Sequence, residues 1–189
     1  MASPETATPA PSVQGFWAWL VERDRDGDRG ISNIVNRWLF FHVLLGLALA
    51  VLCPSDAATI AKTIAIPGAA ILIGLAFGWA GRSANLLQDK SFSRFLIENG
   101  PSPEGYVYAF QLAVLAVLIF IATALFLAVG STGASLGSAE IDAFANRTLL
   151  FTVGSIAVRE SWGIIYFVNK LTIQYYRVRE EELRKEREG

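Results

Sequence analysis

A single cysteine, Cys53, excludes an internal disulfide and any multi-cysteine metal site. A single histidine, His42, excludes a two-histidine haem or a His-rich metal centre built by one chain. There is no H-E-x-x-H pair, no Ser/His/Asp constellation and no glycine loop of the phosphate-binding kind. With nothing to activate a nucleophile, no enzyme, cofactor or metal is expected. A formal net charge of −1 gives no basic surplus, so nucleic acid is not an expected partner. The first residues, Met1 to Ser12, have neither a positive charge nor an apolar run, which predicts a disordered tail rather than a secretory or transit signal.

What the chain does have is apolar length. Of 189 residues 53% are hydrophobic and only 17% charged, with a mean hydropathy of +0.41. That is too apolar for an ordinary soluble domain and points to a polytopic membrane protein whose partner is the lipid bilayer. Four apolar stretches, at about 34–53, 57–80, 106–129 and 148–169, are each near the twenty residues a helical span needs. The expected fold is all-α, four transmembrane helices in an antiparallel bundle spanning 31–169.

Ahead of it, region 1–30 combines the tail with a short aromatic anchor at Phe16, Trp17, Trp19 and Leu20. Asp24, Asp26 and Asp28 alternate like a calcium loop, but Arg29 stands where an EF-hand needs Gly and Val35 where it needs Glu. A solvated turn is the expectation. Ser32 is a candidate cap for the first span, and Pro54 its stop. Pro67 and Gly68 fall inside the second span and should kink it. Ala70, Gly74, Gly78 and Gly81 make a small-residue stripe suited to close helix packing. Arg82 to Ile97 is expected to prolong the second helix and then lie on the membrane surface.

Residues 170–189 should continue the last helix into water as a charged tail, a solvated rod or a short coiled-coil or partner-binding helix. Its Arg177–Glu188 run has five basic and five acidic residues within helical reach of one another. Asn146-Arg147-Thr148 matches a glycosylation acceptor but abuts the membrane, and is set aside. Basic residues cluster before the first span, after the second and after the fourth, with only Lys62 and Arg147 on the other side. The positive-inside rule therefore predicts both termini in the cytoplasm, in a plasma membrane of the bacterial inner-membrane type.

Polar residues inside the spans are the candidate functional positions. His42, Gln111, Tyr166 and Asn169 lie at similar depth and form a possible inner-leaflet layer. Arg159 and Glu160 sit near the middle of the last span, about 15 Å into the hydrocarbon and level with Gly46 to Leu49. Their helix positions diverge by about 100°, which argues against a well-directed pair between them. Relief is expected from an earlier helix start near Ile141, from a ring of Arg159–Glu160 pairs between copies, or from a water-filled path. The leading expectation is a homo-oligomeric ion channel lined by the fourth helix. The alternative is a non-conducting accessory or scaffold subunit whose charged pair meets other membrane subunits.

Overall fold

The structure, a computed structural model, describes residues 15–21, 32, 35–99, 103–130 and 137–188. The calcium-like turn and the tail before Gly15 lie outside them. Helices α1 (Phe16–Val21), α2 (Arg37–Leu52), α3 (Ala57–Ile60), α4 (Ile66–Leu87), α5 (Lys90–Asn99), α6 (Pro103–Ala128) and α7 (Ala139–Glu188) account for nearly all of these residues. A π-helical turn, Ala61–Ala65, joins α3 to α4.

Three helical units are long and apolar enough to cross a membrane: Ala57–Leu87, Val107–Ala128 and Ala139–Glu188. The apolar α2 is shorter, at 16 residues or about 24 Å. It begins at an Asn36 cap, whose side chain accepts from the Trp38 amide at 2.8 Å. Ser32, the cap expected from sequence, stands apart in a 3₁₀ turn. The helix stops at Leu52 before Pro54, because proline cannot continue the hydrogen-bond ladder. Asp56 then caps α3 by accepting from the Thr59 amide at 3.1 Å, so the hairpin connection from α2 to α3 is only four residues long.

Pro67 falls in the first turn of α4 and brings no N–H to the carbonyl of Thr63. Immediately before it the ladder widens: the Ile66 amide reaches back to Ala61. The helix absorbs the missing donor as a π turn and carries on without a break.

The most deeply integrated helix is α7, which packs against α2, α4, α5 and α6. Leu150, Ala157, Ser161, Ile164, Val168 and Leu171, spaced at threes, fours and sevens, form its buried face. The main core joins Leu150 and Ala157 to Val117, Phe120 and Ala124 of α6 and to Ala65 and Ala69 beside the π turn. Across α4 the contact face is Ala69, Ala76 and Ser83, heptad-spaced small residues that let the neighbouring backbones approach.

At 50 residues α7 is about 75 Å long, more than twice the hydrocarbon thickness, so much of it projects from the bundle. Its projecting part is braced by α5, capped by Asp89, which accepts from the Ser91 and Phe92 amides at 3.0 Å. Phe92 and Leu96 are buried against Leu171, with Tyr175 and Val178 alongside. The apolar side of α5, expected to face lipid, is thus turned onto α7. Phe92→Leu should lower stability by about 1 kcal/mol and speed proteolysis between α4 and α6; unaltered proteolysis would place α5 elsewhere. The aromatic anchor α1 is likewise docked: the Trp19 ring lies tilted against Tyr108 of α6, centroids 5.4 Å apart, and is buried, while Trp17 is exposed.

Candidate functional site

One group of polar side chains lies along the seam between α2 and α7, apart from the buried Ser83 on α4 and Ser161 on another face of α7. On α7, Thr148, Thr152, Ser155 and Arg159 follow at spacings of four, three and four, one stripe of the helix. Facing them, α2 runs in the opposite direction. Arg147 donates from Nη1 to the Pro54 carbonyl at 2.9 Å, fastening α7 to the hairpin. Gly46 lies against Thr148 and Thr152, so close that an added Cβ would stand 2.9 Å from the Thr148 carbonyl oxygen. His42 Nδ1 lies 2.9 Å from Ser155 Oγ.

Those contacts set the depth of the charges. Arg159 is twelve residues, about 18 Å, along α7 from the hairpin anchor at Arg147. It therefore lies opposite the opening turns of α2, around Trp38 to His42. The level of Gly46 is taken by Thr148 and Thr152. Of the arrangements expected from sequence, the level of Gly46 gives way to the earlier helix start near Ile141: α7 starts at Ala139 and carries Arg147 in as its fastening to Pro54.

Arg159 and Glu160 also meet. Arg159 Nη1 lies 3.4 Å from Glu160 Oε1, the arginine side chain 34% exposed and the glutamate 16%. Both side chains are long enough to close the gap that the divergence of adjacent positions leaves. Together with Phe110, Gly163, Ile164 and Phe167 the pair lines a cleft of about 280 Å³ beside α6.

Ser155 has a single proton, which it donates to the Thr152 carbonyl at 2.9 Å. Its oxygen is then left to accept from His42, so Nδ1 carries a hydrogen. Nε2, Thr148 Oγ1, Thr152 Oγ1 and Arg147 Nε are all buried with no hydrogen-bond partner among the described residues.

The other candidates are dispersed. His42 lines a groove between α2, α4 and α7, whereas Gln111 lines a second groove, between α1, α4 and α6. Tyr166 and Asn169 are exposed on α7, so the four do not meet as a layer. Ala70, Gly74, Gly78 and Gly81 all face outward, and a Cβ at any of the three glycines would have nothing within 4 Å among the described residues. The glycines that packing consumes are Gly46 and Gly154, the latter 3.0 Å, Cβ to ring carbon, from Phe120. Gly46 stands four residues before Ala50, the other buried residue of α2, a small-residue spacing of its own; Gly154 has no small residue four positions away. Gly68 lines the α2/α4/α7 groove behind Pro67.

On the projecting half of α7, Ile173, Tyr176 and Leu183 are exposed on the side away from α5, at spacings of three and seven. Arg179 pairs with Glu182 at 2.9 Å and Arg184 with Glu188 at 3.6 Å, so the charged run satisfies part of itself. No group of three His, Cys, Asp or Glu side chains that could hold a metal ion occurs among the described residues. The chain matches no protein-family model, and searches of curated proteins and of solved structures find no match either.

Proposed function

We propose that this chain is a non-conducting, multi-pass membrane subunit that assembles laterally with a second copy or another membrane protein and presents its projecting α7 as a docking rod. The supporting observation is that the two charges of the last apolar segment close on each other within one protomer, at 3.4 Å. A pore built on α7 would need those groups turned toward a shared axis. Instead α7 is packed on by α2, α4, α5 and α6. Its outward positions at that level, Trp162 and Tyr166, are bulky aromatics of the kind found at a membrane boundary.

In this reading α2 also crosses the membrane, as the first of four spans, both termini lie on the cytoplasmic side, and the membrane is a plasma membrane of the bacterial inner-membrane type. The lateral contact uses the open stripe Ala70, Gly74 and Gly78 on α4, where another helix backbone can approach closely. The rod's exposed Ile173, Tyr176 and Leu183 supply a coiled-coil seam for a cytoplasmic partner.

Purified chain reconstituted in planar bilayers should carry no current. Gly78→Leu should leave the protomer folded, since its Cβ enters open space, while shifting the particle toward a smaller mass in light scattering. The channel remains the second reading because Arg159 keeps a third of its side chain exposed beside a cleft. A conductance altered by Arg159→Ala or Glu160→Gln would establish that reading and sink the first.

A further inference from the structure

The groove between α2, α4 and α7 has a volume of about 780 Å³ and is apolar along most of its length. Leu45, Ile64 and Ile71 form its exposed rims, so it opens sideways rather than toward an end of the bundle. One end changes character: Arg159 and Trp162 line it there. We propose that this groove holds one acyl chain of an anionic phospholipid, with Arg159 drawing the headgroup phosphate from the leaflet on the side where α7 projects.

Three features of the site select this occupant. First, from Leu150 to Arg159 the groove follows nine residues of α7, about 13 Å, which suits an extended hydrocarbon chain and leaves the charge at its mouth. Second, Arg159 lies opposite the opening turns of α2, where a long basic side chain can reach the headgroup level. Trp162, 69% exposed one turn further along, is the residue type that sits at that boundary. Third, a guanidinium is a planar fork of five donors. It can address Glu160 on the cleft side and a phosphate on the groove side, and phosphate suits that fork in charge and geometry. A zwitterionic lipid offers the same phosphate but cancels its charge nearby.

The groove also has a built-in test position. Gly68 lines it, and a Cβ there would have nothing within 4 Å among the described residues, so Gly68→Leu fills the groove without striking the fold.

The experiment delipidates the full chain in detergent, offers phosphatidylglycerol and phosphatidylcholine together, and counts retained lipids by native mass spectrometry. Wild type and Glu160→Gln should retain phosphatidylglycerol about tenfold over phosphatidylcholine. Arg159→Gln/Glu160→Gln, in which no charge is stranded, should stay folded and lose that preference. Gly68→Leu should lose retained lipid of both kinds. Equal retention of the two lipids by wild type, or an undiminished preference in the double variant, would overturn the proposal. It would fall equally if Gly68→Leu left lipid retention untouched and instead changed the number of copies per particle, because a second copy would then be covering the groove.

Discussion

Gly46→Leu should be the most damaging single substitution in the bundle, destabilising it by about 3 kcal/mol or more. At this position the added Cβ alone would strike Thr152 Oγ1 and stand 2.9 Å from the Thr148 carbonyl and 3.0 Å from the Thr152 amide nitrogen. Two of those three atoms belong to helix backbone, which cannot rotate aside as a flexible side chain can. The helices must separate, and with them go the hydrogen bond from His42 to Ser155 and the fastening of Arg147 to Pro54. Thermal unfolding in detergent should show a much lower midpoint, and a cysteine pair across α2 and α7 should no longer cross-link. Gly78→Ala is the matched control, since its new methyl meets no described atom. Equal tolerance of the two substitutions would mean that α2 does not lie where these contacts put it.

Arg159→Gln should follow, lowering stability by about 2–3 kcal/mol. Glu160 would be left with only 16% of its side chain exposed and without the guanidinium 3.4 Å away. A fully buried pair broken on one side costs about 3–5 kcal/mol; the smaller figure reflects the third of Arg159 that remains exposed. Removing both charges should do less harm than removing one, because nothing is then stranded. In a double-mutant cycle the Arg159→Gln/Glu160→Gln protein should therefore unfold later than Arg159→Gln alone. Simple addition of the two single effects would show that the pair is not coupled within a protomer.

These two sites differ in how far they could be read in advance. Arg159 and Glu160 announce themselves, because charge in an apolar run has a large transfer penalty wherever the run is buried. Gly46 is quieter. Its spacing of four from Ala50 is legible, but its importance comes from what lies across from it. The reverse holds for Gly74, Gly78 and Gly81, whose spacing suggests packing but whose face is turned away from the protomer. Spacing shows that positions share a side of a helix; it does not show toward which neighbour that side is rotated.

The sequence by itself determined the elements. Apolar runs of about twenty residues, Pro54 as a stop, and Pro67 as the cause of an irregular turn all follow from local chemistry: burial of side chains, the missing proline N–H, the rise of a helix. It likewise required that α7 carry a charged extension, since Lys170 and the Arg177–Glu188 run cannot remain in hydrocarbon. Tertiary structure decided the register. Only the contacts of Arg147 with Pro54 and of His42 with Ser155 place Arg159 opposite the start of α2, because the depth of a residue in a long uniform helix is set by its neighbours and not by its own run. Tertiary structure also turned α5 onto α7 through Phe92 and Leu96, since an amphipathic face is satisfied equally by lipid or by another helix and only the fold chooses between them.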